Sequence, residues 1–133
     1  MEKEFVPYNL AKQIKQLGFK QECFGYYIDV EVANPFLVKN IVSDDQGGYF
    51  TLAPTFSQAF RWFREKYNLH HSISILQRSC RYHFKIRTIE CESDLKPFGD
   101  NKIISEDGPR KKYEDIELDC LKKLIEIVKD GKK

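Results

Sequence analysis

Hydrophobic residues recur at helical spacing in three segments of the chain, and terminal signals mark where each helix begins and ends. The first segment predicts a helix over residues 7–17, because Pro7 suits the first turn and Gly18 ends the apolar repeat. Phe19 then stands where a side chain folds back on the last turn, as in a Schellman cap.

The second predicted helix begins with a capping box, in which Thr55 is followed three residues later by Gln58. Its aromatic stripe continues to Tyr67, and Asn68 is a residue type that adopts the left-handed conformation closing many helices. The third predicted helix spans residues 113–129, where apolar residues again repeat at helical spacing.

Alternating polar and apolar residues predict strands between these helices. The predicted strands lie within residues 22–33, 36–43, 49–53, 71–77 and 80–91. Turns are predicted at 44–48, where the sequence is Asp-Asp-Gln-Gly-Gly, and near Arg78–Ser79. Residues 93–111 are predicted to form a long polar loop with a short strand at 102–105 inside it, and residues 130–133 a solvated tail.

Together these elements predict the fold class α+β, with the element order α-β-β-β-α-β-β-α. The economical arrangement is a two-layer sandwich, in which three helices cover a mostly antiparallel sheet of about four to five strands. With 133 residues the chain has the length of one ordinary domain, so a single domain over 1–133 is expected.

The net charge of +2 hides an uneven distribution along the chain. The stretch from Arg61 to Ile89 has seven basic residues and one acidic residue, so it carries +6 and the remainder carries −4. On a strand over 80–91 the basic residues form a row about 7 Å apart, a spacing that suits a phosphate backbone or another acidic partner. The candidate residues for binding an acidic partner or nucleic acid are Arg78, Arg81, His83, Lys85 and Arg87.

Two aromatic residues of the same strand limit how far this row indicates nucleic acid. Tyr82 and Phe84 belong to the opposite face and are expected in the core, so no aromatic stacking platform accompanies the charges. An ordinary solvated sheet face therefore remains the alternative to a binding site.

A second candidate surface lies on the second predicted helix, where Trp62 stands at the edge of the apolar stripe. Placed at the boundary of the core, Trp62 would be structural, whereas exposed between two arginines it would suit a protein interface. The candidate interface residues are Arg61, Trp62 and Arg64.

The histidines and cysteines predict neither a metal site nor a catalytic site. A zinc site would have to draw on His70, His71, Cys80 and His83. Since adjacent residues on a strand point to opposite faces, the two neighbouring histidines cannot reach one metal, and this zinc site is excluded.

An enzyme using His83 with Cys80 or Cys91 would need a β-bulge to bring these side chains to the same face of the strand. Cys80, Cys91 and Cys120 fall at apolar positions, where cysteine behaves as a small buried hydrophobe, and no cofactor is expected.

Five segments have a distinctive sequence: Glu4–Tyr8, Leu17–Phe19, Phe24–Tyr27, Ala53–Tyr67 and Tyr113–Ile125. They resemble a family of small uncharacterised proteins encoded by bacteriophages and integrated prophages. The most specific parts are the block that runs from Ala-Pro to Arg-Trp-Phe-Arg-Glu-Lys-Tyr and the C-terminal Leu-Lys-Lys-Leu-Ile helix. The strands at 70–90 and the loop at 93–111 depart from the family pattern. The resemblance implies a biological context and assigns no activity or site.

These observations favour a small, non-enzymatic accessory protein of the phage or prophage type that acts as a protein-interaction module. Self-association through an exposed sheet edge or through the aromatic helix is one form of this hypothesis. The alternative is a nucleic-acid-binding protein that uses the basic face of the strand at 80–91.

No segment approaches the roughly 20 apolar residues that cross a bilayer, and no signal-peptide run follows the first residues. A cytoplasmic protein without a membrane partner is therefore expected.

Overall fold

The computed structural model describes residues 4–28, 36–39, 50–76, 80–90, 100–110 and 112–131. The described part contains three helices and six strands, which confirms the α+β class. In chain order the elements are α1 (Tyr8–Gln16), β1 (Tyr26–Ile28), β2 (Phe36–Val38), β3 (Phe50–Leu52), α2 (Phe56–Tyr67), β4 (His70–Leu76), β5 (Arg81–Glu90), β6 (Asp100–Arg110) and α3 (Tyr113–Gly131). The backbone divides into two compact units, Met1–Ala59 and Phe60–Lys133. That the whole chain unfolds as one domain stays a prediction.

The first unit contains an antiparallel sheet in the order β2-β1-β3, with α1 packed against β3. Val6 and Ile14 are fully buried in its core. The Lys15 ammonium donates a hydrogen bond of 2.9 Å to the Phe50 carbonyl and so ties α1 to β3. The Tyr27 hydroxyl donates a buried hydrogen bond of 2.8 Å to the carbonyl of Val6, which fixes the N-terminal segment against β1.

The end of α1 confirms the predicted Schellman cap. Gly18 has a φ of 103°, which glycine adopts without steric cost, and its N–H donates to the Lys15 carbonyl at 3.0 Å. The N–H of Phe19 donates to the carbonyl of Ile14 at 3.3 Å, and the Phe19 side chain is buried. At the other end Pro7 is the N-cap residue, so the helix begins one residue later than predicted.

The limits of α2 are those that the capping signals predict. The Gln58 N–H donates to Thr55 Oγ1 at 3.2 Å, and the Thr55 N–H donates to Gln58 Oε1 at 3.0 Å, which completes the capping box. After Tyr67 the chain turns at Asn68, whose φ of 56° lies in the left-handed region. The N–H of Leu69 then donates to the Phe63 carbonyl at 3.3 Å, so the helix closes in the way the sequence predicts.

The second unit contains an antiparallel sheet in the order β4-β5-β6, and α3 packs across β5 and β6. The described strands therefore form two three-stranded sheets, where the sequence predicted one sheet of about four to five strands. Periodicity identifies strands but does not assign them to a sheet, because pairing depends on contacts distant in sequence.

The prediction of a loop at 93–111 is wrong over residues 100–110, which form β6 and pair with β5, whereas the short strand predicted at 102–105 is confirmed as part of β6. This strand lies at the edge of its sheet and carries many polar residues, so it lacks the hydrophobic alternation that marks a half-buried strand. The predicted tail at 130–133 is also too long, because α3 continues through Asp130 to Gly131. The predicted turns at 44–48 and Arg78–Ser79 lie outside the described residues.

Candidate binding surface

Strand β5 carries the row of basic residues that the sequence predicts. Phe84 and Ile86 of this strand are buried, in the sheet against which α3 packs. Because successive strand residues point to opposite faces, the residues between them lie on the other face, which we call the open face. The open-face residues of β5 are Arg81, His83, Lys85, Arg87 and Ile89. Arg78, the remaining predicted member of the row, lies outside the described residues.

Small polar residues of β4 border the row on one side. Ser74 is paired with His83, and Ser72 is paired with Lys85. Directly opposed residues of antiparallel strands share a face, so both serines belong to the open face. Both serines are exposed, and their short side chains do not cover the longer side chains of β5.

Strand β6 borders the row on its other side and brings an acidic residue into it. Glu106 is paired with Lys85, and its Oε2 lies 3.9 Å from the Lys85 ammonium. Such a partly exposed ion pair contributes less than about 1 kcal/mol, but it neutralises the middle of the row. Within the described part of the chain, Arg81 and Arg87 have no carboxylate within ion-pair distance. The available positive charge is therefore concentrated at the two ends of the row.

Exposed isoleucines lie at the Arg87 end of the open face. Ile103 of β6 is paired with Arg87 and is 46% exposed, while Ile89 follows two residues after Arg87 and is 38% exposed. A bulge between the pairs of Ile86 and Arg87 inserts one extra residue, Ile104, which is 41% exposed. We call Arg87, Ile89 and Ile103 the Arg–Ile patch. Grouped apolar exposure beside a charge is typical of interaction surfaces, whereas single exposed apolar residues are ordinary.

Asn68 connects the end of α2 to this patch. Its Nδ2 donates a hydrogen bond of 2.7 Å to the Ile89 carbonyl, and its Oδ1 lies 2.8 Å from His70 Nε2. His70 in turn is paired with Arg87 across the sheet. The left-handed residue that closes α2 thus also fixes the backbone beneath the Arg–Ile patch.

Two nitrogens of the row are buried without a hydrogen-bond partner among the described residues: His83 Nδ1 and Arg87 Nε. A buried polar atom that lacks a partner costs about 1–3 kcal/mol, so natural structures contain few of them. A bound carboxylate or phosphate would supply an acceptor to either group after a change of side-chain rotamer. These two residues are therefore the points of the open face at which an acidic ligand would gain most.

The structure distinguishes the two alternatives for the second predicted surface: Trp62 is only 5% exposed, so it is a structural residue and not an exposed interface residue. Its ring meets those of Phe63 and Tyr67 edge to face, with centroid distances of 5.0 and 5.5 Å. Arg61 and Arg64 remain exposed, and the Arg61 guanidinium pairs with Glu65 at 2.9 Å one turn further along the helix. Trp62 belongs to the core beneath α2, which leaves two separate surface arginines.

The histidines and cysteines occupy different environments. The imidazole of His71 stacks on the ring of Phe60 at a centroid distance of 3.8 Å. Burial lowers the pKa of His71 to about 4, and Arg64 and His70 make smaller contributions in the same direction.

Cys120 is buried as predicted, and burial raises the pKa of its thiol to about 12. Cys80 is exposed at the turn before β5 with a φ of 53°, so the prediction of burial is wrong there. Cys91 lies outside the described residues.

A cleft of about 310 Å³ lies between α3 and the strands β5 and β6. Its wall contains two ion pairs, Arg110 with Asp119 at 2.7 Å and Lys123 with Glu126 at 3.4 Å. The cationic and acidic groups along the cleft balance one another, so the electrostatic attraction for a charged ligand is weaker than on the open face.

Sequence reasoning missed the apolar half of the patch. Ile103 lies in the short strand predicted at 102–105 and Ile89 in the strand predicted at 80–91, but the sequence did not assign either residue to a binding surface. The apolar pair Ile103-Ile104 supports that short strand but does not show that it pairs with β5 beside Arg87. Because this pairing joins residues distant in the sequence, no local signal identifies the patch.

The described residues contain no group of three or more histidine, cysteine or acidic side chains arranged to hold a metal ion. Within the same residues, no helix has both the length and the hydropathy that a membrane span requires. Comparison with protein-family models, with curated proteins and with solved structures finds no match to this chain. The inference of function therefore depends on the geometry of the open face.

Proposed function

We propose that the protein is a non-enzymatic, cytoplasmic interaction module that binds an acidic protein surface through the open face of β4, β5 and β6. The observation that carries this proposal is the Arg–Ile patch, in which exposed Ile89 and Ile103 adjoin a guanidinium without a carboxylate partner in the described part. Apolar contacts surrounded by charge are the usual composition of a protein interface.

Three features favour a protein over a nucleic acid as the partner. The patch exposes isoleucines, which gain from burial against apolar groups and gain little from a phosphate backbone. Glu106 stands within the row and would repel phosphates. The aromatic residues of β5 face away from the row, so bases would find no stacking platform there.

Nucleic-acid binding is the second candidate function, and the row itself supports it. Arg81 and Arg87 are spaced along one strand on an accessible face, in the arrangement that neutralises successive phosphates. The sequence resemblance to small phage and prophage proteins fits an accessory role with either partner. That resemblance stays a prediction.

Two probes separate the candidates: a labelled peptide rich in glutamate and leucine, and labelled DNA of about 20 nucleotides, single-stranded and duplex. In fluorescence anisotropy at low salt, wild type is expected to bind the peptide more tightly than either DNA. The double variant Ile89→Ser, Ile103→Ser is expected to weaken peptide binding about tenfold, because it removes apolar contact at the centre of the surface.

A variant of the basic row on β5, Arg81→Ala, Lys85→Ala, Arg87→Ala, is expected to bind every probe more weakly. Its matched control is Lys20→Ala, Lys112→Ala, Lys122→Ala, which removes the same charge from exposed positions elsewhere. Loss of DNA binding in the basic-row variant, with full binding in the isoleucine variant, would establish the nucleic-acid alternative. If wild type binds neither probe, or if the control variant weakens binding equally, the open face is not the binding surface.

A further inference from the structure

The outer edge of β4 is unoccupied by any strand among the described residues. In the order β4-β5-β6, β4 pairs with β5 along its whole length, and no described strand pairs with the backbone groups of its other edge. Ser72, Ser74 and Ile75 of this strand are exposed, and Ile75 is 57% exposed. A strand edge of this kind is a template for pairing with another chain.

The two edges of this sheet differ in how they are protected. β6 contains Pro109, two register shifts and several charged residues, all of which discourage a further strand. β4 contains no charged residue, no proline and no glycine over His70–Leu76, although 32% of the chain is charged. Of the two edge strands described in this sheet, β6 therefore discourages the addition of a further strand, and β4 has no such protection.

The sequence of β4 is complementary to itself in antiparallel orientation. About a two-fold axis at Ile73, Ile73 of one copy faces Ile73 of the other, and Ser72 faces Ser74 on both sides of the axis. These pairs match hydroxyl with hydroxyl and apolar with apolar, which are favourable cross-strand combinations. No like charges meet, because the strand has none, and each Ile75 would face the partner's His71.

We propose that β4 is a homodimer interface, in which two copies pair antiparallel about Ile73 to form one continuous six-stranded sheet. The two-fold axis makes the interface isologous, so it closes at two copies and does not propagate into a fibre. This proposal goes beyond the binding function and needs no other partner.

The dimer has a consequence for the open face. Directly opposed residues share a face, so both copies of the basic row lie on the same face of the joined sheet. Three strand spacings separate the two rows, about 14 Å. One acidic partner could then contact two Arg–Ile patches, which raises its affinity through avidity.

Analytical ultracentrifugation over about 5 to 500 µM tests the proposal, because a single strand pair is a small interface and the dimer is expected to be weak. The double variant Ser72→Glu, Ser74→Glu places glutamates opposite each other twice and is expected to weaken the dimer about tenfold. The variant Ser72→Glu, Ser74→Lys places glutamate opposite lysine twice in the proposed register and is expected to restore wild-type association.

The rescue depends on the register. In a parallel, in-register pair each residue would face its own copy, so the Glu/Lys variant would dissociate as the Glu/Glu variant does. A wild-type protein that stays monomeric over the whole range would overturn the proposal, as would a dimer that neither variant changes. Circular dichroism establishes that both variants fold.

A disulfide provides a second measurement that does not depend on these variants. With Ile73→Cys, the proposed axis brings the two introduced thiols together, and mild oxidation is expected to link residue 73 to residue 73 of a second copy. Peptide mapping by mass spectrometry identifies the link. Cross-links that involve only the native cysteines, such as exposed Cys80, would contradict the proposed axis.

Discussion

At the scale of single residues, His71 is the group whose surroundings most alter its chemistry. Its ring stacks on Phe60 with an interplanar angle of 16°, so one face of the imidazole is removed from water. Burial lowers its pKa to about 4, and the positive charge of Arg64 and the neighbouring His70 act in the same direction. The folded protein therefore holds this histidine neutral where an unfolded chain would begin to protonate it.

The pKa shift predicts a loss of stability in acid. An unfolded chain protonates the histidine near pH 6.5, whereas the folded chain does so only near pH 4, so the unfolded state binds more protons between these values. The stabilisation is complete above about pH 6.5 and is lost as the pH falls toward 4, by roughly 2 kcal/mol after allowance for partial exposure.

Urea unfolding at several pH values measures this effect. The variant His71→Phe keeps a ring against Phe60 but cannot titrate, so its stability is expected to change less between pH 6.5 and 4. Equal pH dependence of wild type and variant would contradict the assigned role of His71.

Trp62 gives a second prediction at this scale, which distinguishes core from interface. Because its side chain is buried against Phe63 and Tyr67, Trp62→Ala is expected to lower the free energy of unfolding by about 3–5 kcal/mol. Arg61→Ala removes only an exposed ion pair with Glu65 and is expected to cost about 0.5 kcal/mol. Similar small costs for both variants in urea unfolding would indicate that Trp62 is exposed.

At the scale of elements, the close of α2 is where fold and surface meet. Asn68 adopts φ of 56° and also holds the Ile89 carbonyl through its side chain. Asn68→Gly loses the hydrogen bond but keeps the backbone freedom, while Asn68→Ala loses both.

The alanine variant is therefore expected to be less stable than the glycine variant by about 1 kcal/mol in urea unfolding. A glycine variant that is the less stable of the two would show that backbone conformation does not limit this site. The comparison has its own control, since both variants remove the same side-chain contacts.

Elements with local signals were predictable from the sequence, and elements that depend on distant pairing were not. The capping box at Thr55 and the glycine cap at Gly18 are encoded within a few residues, and both are observed. The alternation in β5 likewise predicted the burial of Phe84 and Ile86, whereas Tyr82, also expected in the core, is half-buried and Cys80 is exposed. Of β6 only residues 102–105 were predicted as a strand, because the pairing with β5, in which every pair is ten or more residues apart, stabilises a largely polar sequence. The Arg–Ile patch was missed because the pairing that places Ile103 beside Arg87 has no local signal.

At the scale of the whole molecule, charge is divided between the two units. Counted over the sequence, residues 1–59 carry −2 and residues 60–133 carry +4. The basic row belongs to the positive unit, where it attracts acidic partners of any class. Charge alone therefore does not identify the partner, and the response to salt is more informative.

Raising the salt concentration from about 50 to 200 mM is expected to separate the two partner classes. If two or three phosphates are neutralised by the row, DNA affinity falls about 10- to 40-fold over this range. Binding of the acidic, leucine-rich peptide is expected to fall less, because burial of Ile89 and Ile103 does not depend on ionic strength. A peptide affinity as salt-sensitive as that of DNA would indicate that the isoleucines make no contact.

The central claim is that the open face of β4, β5 and β6 is the binding surface, and an amide chemical-shift titration tests it most directly. Isotope-labelled protein is titrated with the acidic, leucine-rich peptide, and the shifted amides are mapped onto the fold. The account predicts the largest shifts at Ser72, Lys85, Arg87 and Ile103. Shifts confined to the cleft between α3 and the strands, around Lys122, or the absence of any shift, would contradict it.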